Sequence, residues 1–122
     1  MSISPVIQVD DQKRIKAQCE AMRVNVVQNS LWRPVMPPVS QTCTCGQWMR
    51  HWVQYSGSQA AKSCGYDGCD EGPPYFAAHM ENARNPDVII PVCHLHHKRE
   101  AAAGYVVMRA GTGVKAVPGP LC

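Results

Sequence analysis

Residues 64 to 97 read CGYDGCDEGPPYFAAHMENARNPDVIIPVCHLHH and hold three cysteines and four histidines. Sulfur and imidazole at this density are ligands for a soft or borderline metal ion. Four residues separate Cys64 from Cys69, and two separate Cys93 from His96. Two short ligand pairs divided by a long insert suit one tetrahedral zinc ion, because each pair on a tight turn aims both donors at one point. The predicted site is Cys64, Cys69, Cys93 and His96, with Zn2+ as a structural cofactor.

A second cluster precedes it. Cys43 and Cys45 flank one residue, and His51 follows in CTCGQWMRHW. With a fourth ligand from His79, His94 or Cys122 these residues make a second metal site. Single-residue spacing is less typical of zinc turns than two to four, so free thiols beside a half-buried His51 are the equal alternative.

The elements that must position these ligands follow from local chemistry. Gly65 and Gly68 give the first pair the permissive backbone of a tight turn. The apolar run Val88 to Val92 predicts a buried strand leading into the second pair. From Cys93 the chain reads as a helix that stops at Gly104 and carries Lys98 and Arg99 near its negative end. Trp48, Trp52 and Tyr55 recur at helical spacing and predict a short amphipathic helix beginning near Gly46, with His51 beside the aromatic face.

Further out, residues 1 to 9 suggest a short strand or arm. Ile15, Cys19, Met22 and Val26 form one stripe of a helix from Asp10 to about Asn29, with Cys19 turned to the core as a small hydrophobe. Leu31 to Thr42 contains three prolines and predicts an extended connector pinned by Trp32. AGTG between two apolar runs predicts a hairpin over Tyr105 to Pro118.

At 122 residues the size is that of one small domain, near the range where a metal staple supplements a modest core. We divide it into an N-terminal helix and proline-rich arm, 1–42, and a zinc-binding unit, 43–122. A formal charge of +3 tolerates nucleic acid without demanding it. Seven cysteines is an odd count and the N-terminus does not read as a signal peptide, so metal is favoured over disulfides and a cytoplasmic location is expected. No apolar run is long enough to cross a membrane.

The segments YFAAHM and VIIPVCHLHHK resemble the HNH family of small phage and bacterial zinc proteins, over about residues 63 to 104. The resemblance implies an α+β fold with a treble-clef, HNH-like ββα core. It implies Cys64, Cys69, Cys93 and His96 as structural zinc ligands, His79 as general base and His97 as ligand of a catalytic divalent metal. Ala78 stands where an acidic residue usually precedes the base, and the family's central Asn has no counterpart near Val88; Glu81, Asn82, Asn85 or Asp87 are the oxygen donors that could replace the missing ligands. Three functions follow as expectations. The first is a non-catalytic zinc module binding nucleic acid or a protein through the helix after Cys93 and through Lys98, Arg99 and Arg109. The second is a metal-dependent endonuclease, and the third a structural component of a larger, phage-type assembly. The oligomeric state is not encoded legibly.

Overall fold

The computed structural model describes residues 4–35, 47–58, 61–72, 75–98 and 104–121, with side chains from residue 11 onward. It is a mixed α+β structure: α1 (Ser4–Ala21), β1 (Arg23–Val26), β2 (Ser30–Pro34), α2 (Trp48–Ser56), β3 (Phe76–Glu81), β4 (Val88–Val92), α3 (His94–His97), β5 (Val106–Met108) and β6 (Gly111–Lys115). The strands form one antiparallel sheet in the order β1-β6-β4-β3-β2-β5.

The sheet curls because its two ends are parts of one bent ribbon. Val26 pairs with Gly111 at the end of the β1–β6 ladder, and Ser30 pairs with Met108 where the β2–β5 ladder begins. Three residues, Val27 to Asn29, therefore oppose two, Arg109 and Ala110. This one-residue excess is a bulge, which bends and twists a ladder. Asn29 takes the left-handed backbone that the bend needs, at φ 67°, and its N–H donates to the Met108 carbonyl. Gln28 braces the opposite side by accepting the Ala110 N–H.

Val24, Val26, Trp32, Tyr66, Met80, Val88, Ile90, Val92, Val106 and Met108 fill the inside of the curl, together with Cys64 and Cys93. On the outer face α2 lays Trp52 and Tyr55 against Met22, Ile89, Val114 and Ala116. Strand β4 lies between these two cores, so all five of its residues are buried, and the predicted 88–92 strand and the aromatic helix both stand.

Other expectations change. Residues 4–21 are helical and the helix ends at Ala21, not Asn29. Met22 and Val26 belong to the helical stripe, but with Val24 between them they also fit a period of two, and the β-branched valines favour the strand. Ile15 is left 39 % exposed, while Cys19 is half-buried against the outer core. The expected arm supplies strand β2 of the common sheet, and buried Trp32 is its anchor, with its indole N–H on Ser30 Oγ. Residues 36–46 of the connector lie outside the described residues.

The AGTG hairpin does not form, because β5 pairs with β2 while β6 pairs with β1 and β4. Gly113 sits inside β6 so closely that a Cβ there would come 2.5 Å from Val88 Cγ1. Its glycine serves close packing, not a turn. The third helix ends at His97, with Lys98 as its C-cap; residues 99–103, which fall in the rest of the expected helix, lie outside the described residues.

Candidate metal centre

Pro91 explains where the site arises. A proline has no N–H for a ladder, and β6 pairs β4 only at Val88 and Ile89. Beyond that point a turn over residues 64–69 replaces β6, with the Gly65 N–H donating to the Pro91 carbonyl at 2.9 Å. Gly65 is required here: a Cβ would lie 2.6 Å from Ile90 Cγ2. Strand β5 holds the turn's other edge through Arg109 N–H to Gly65 O and Asp67 N–H to Val107 O. Gly68, at φ 78°, reverses the chain so that Cys69 returns beside Cys64.

The second pair stands where β4 becomes α3. Cys93 is the N-cap residue, with extended backbone, and the first turn carries His96 back over it.

These two corners bring together the four predicted ligands, whose donor atoms all lie within 4.8 Å of one another. His96 Nδ1 is 3.4 Å from Cys64 Sγ and 3.2 Å from Cys93 Sγ, and Cys69 Sγ is 3.8 Å from Cys93 Sγ. A tetrahedral ion with bonds of about 2.3 Å to sulfur and about 2.0 Å to nitrogen has S···S edges of about 3.8 Å and S···N edges of about 3.5 Å. The shell therefore has the dimensions of a metal site, and its donors have the chemistry of one.

The electrostatics agree. Burial pushes the Cys64 thiol up to about 11, against N–H bonds from Tyr66 and Cys93. Burial also raises Cys93, but N–H groups of His96 and Leu95 and the Cys69 sulfur outweigh it, and that thiol falls below its ordinary value. Three thiolates in so small a buried space need a cation to ionise together. Outside the shell, Tyr66 stacks on the His96 ring and the Arg109 guanidinium donates to the Cys69 carbonyl at 2.8 Å. Arg109, expected to meet phosphate, is thus engaged in bracing the turn. Lys98 is exposed, and Arg99 lies outside the described residues.

Among the described residues, the remaining site residues do not join a second cluster. His51 is fully buried, with Nε2 2.8 Å from the Lys115 carbonyl; burial lowers its pKa against the rise from that bond. It packs α2 on the sheet, and among the described residues it belongs to no metal-ligand cluster. Cys43, Cys45 and Cys122 lie outside the described residues, and His94 is exposed.

His79 has a partner that spacing did not reveal: its Nδ1 lies 2.6 Å from Asp87 Oδ1, with Trp48 edge-on to the ring. Asp87 reaches it from a left-handed backbone at φ 35°. His97 stacks on Phe76 instead. Phe76 and His79 lie on opposite faces of β3, since side chains alternate along a strand, so the two histidines do not face one site. The Asx turn in which Asn82 Oδ1 accepts the Arg84 and Asn85 N–H groups engages Asn82 locally, and Glu81 pairs with Arg33.

No family model matches the chain, nor does any curated protein or solved structure. No helix among the described residues is long and apolar enough to cross a membrane.

Proposed function

We propose that the chain is a zinc-stabilised module on the treble-clef plan that acts by binding a protein partner, without catalysis. The carrying observation is the Cys64, Cys69, Cys93 and His96 shell. Four protein donors complete a tetrahedron and leave no open position for water, which is the difference between structural and catalytic zinc. Zinc would contribute the positive charge that three buried sulfurs require, and through it the folding energy of the corner. The order of turn, β3–β4 hairpin and helix start supports the treble-clef reading, and with it a distant kinship to the HNH proteins.

A protein partner fits the surface better than nucleic acid does. Leu31 and Val107 pair across β2 and β5 and are 56 % and 41 % exposed, with Tyr105 nearby in sequence at 56 %. Exposed apolar residues grouped in this way favour protein contacts. Phosphate binding rests on several cations together, whereas of the predicted basic trio the described residues offer Lys98 and Arg109, one of whose N–H groups is already given to the Cys69 carbonyl.

The endonuclease reading has one observation in its favour, the Asp87 carboxylate that orients His79 as a general base would be oriented. The opposite placement of His97 argues against it. Incubating the zinc-loaded chain with supercoiled plasmid and magnesium or manganese separates the two. We expect no nicking and no salt-sensitive DNA binding; metal-dependent nicking that disappears in His79→Ala would overturn the proposal in favour of an endonuclease.

A further inference from the structure

The turn that presents Cys64 to the metal has a second side, which lines a cavity of about 320 Å³. That volume is at the lower end of the range for small-molecule pockets, roughly 300–1,000 Å³. Val26, Trp52, Ile90 and Pro91 provide apolar walls, and all four are buried in the fold. Ser58, Ser63 and Thr112 add hydroxyl groups, and the charged residues among the described lining are Lys62 and Arg109. No carboxylate faces these cations from the described lining.

We propose that this cavity binds a small organic acid, its aromatic or aliphatic body against Trp52 and Ile90 and its carboxylate toward Lys62 and Arg109. Apolar walls with a few convergent polar groups are the usual composition of a ligand pocket. Two cations with no counter-charge in the lining select an anion over a neutral or cationic ligand. Arg109 is suited to the task because one of its N–H groups is fixed on the Cys69 carbonyl at 2.8 Å. A guanidinium held by one edge is pre-organised, and its planar fork matches a carboxylate. Trp52 is fixed too, its indole N–H donating to the Thr112 carbonyl at 2.9 Å. The inference rests on the proposed metal-held turn at Cys64 but not on any protein partner, and the metal content of the same sample separates failure of the metal site from failure of the cavity.

Titration of the metal-loaded full chain with naphthoate, followed by the amide NMR shifts of Gly65, Gly111 and Thr112, tests the inference. We expect saturable shifts at these amides. Naphthamide, the uncharged analogue, and the exposed-site variant Lys62→Gln should each bind about tenfold more weakly, a change of about 1.4 kcal/mol. Lys62 is solvent-exposed, so its replacement leaves the fold intact, and the unchanged remainder of the spectrum would verify this. Absent or non-saturable shifts, shifts centred elsewhere, equal binding of naphthamide, or undiminished binding by Lys62→Gln would each overturn it.

Discussion

Tyr66 lies flat on His96, with ring centroids 4.0 Å apart and planes 5° from parallel. Tyr66 comes from the turn between the first two cysteines and His96 from the helix after the third, so the stack joins both halves of the ligand set. It also fixes the imidazole orientation that aims Nδ1 at the sulfurs. Groups that orient a ligand commonly contribute about 10–100-fold to metal affinity. Tyr66→Leu retains an apolar side chain but loses the flat ring, and should weaken zinc binding about tenfold in competition with a chromophoric chelator. An unchanged affinity would contradict the orienting role.

Gly113 and Gly111 distinguish the bent ribbon from a local hairpin. A Cβ at Gly113 would strike Val88, whereas one at Gly111 would meet nothing within 4 Å. Gly113→Ala should cost about 1–3 kcal/mol in urea unfolding, the usual cost of overpacking. Gly111→Ala should stay within about 0.5 kcal/mol. Equal effects at the two positions would show that β6 does not pass this close to β4.

His51 makes stability depend on acid. Burial lowers its folded pKa from the ordinary 6.5, so the unfolded chain binds the proton more readily. The stability this contributes is fully present above 6.5 and is lost as pH falls through the lowered folded value. His51→Gln removes the titrating group, and protonation of the metal ligands affects parent and variant alike. Between about pH 7 and about pH 5 the parent should therefore lose more stability than the variant in chemical denaturation. Identical pH slopes would contradict the burial of a neutral imidazole.

The legible parts of this chain were those governed by local pattern. Cys64, Cys69, Cys93 and His96 could be grouped because each pair needs only one turn to converge, and Val88 to Val92 announced a strand because both its faces are buried. The Trp48, Trp52 and Tyr55 spacing announced α2 in the same way. What failed depended on distant partners. The pairing of β6 with β1, a strand far away in the sequence, Val26 with Gly111 and Val24 with Gly113, decided that AGTG would lead into a strand and not turn back on itself. Met22 and Val26 matched two periods at once, and the presence of β6 beside them selects one. The Asp87 contact to His79 depends on a left-handed residue that no spacing rule anticipates, and the bond from Arg109 to the Cys69 carbonyl joins residues far apart in the sequence.

The central claim is that Cys93 is one of four ligands to a structural zinc ion, and the zinc content of the purified chain beside its Cys93→Ser and Cys19→Ser variants tests it most directly. Cys93 is fully buried within the ligand shell, while Cys19 is half-buried against the outer core, away from it. We expect Cys93→Ser to contain one zinc equivalent fewer than the parent and to unfold at lower temperature, because binding energy at such a site is folding energy. Cys19→Ser should retain the parental zinc content. Equal zinc in all three proteins, or a folded parent containing none, would contradict the account.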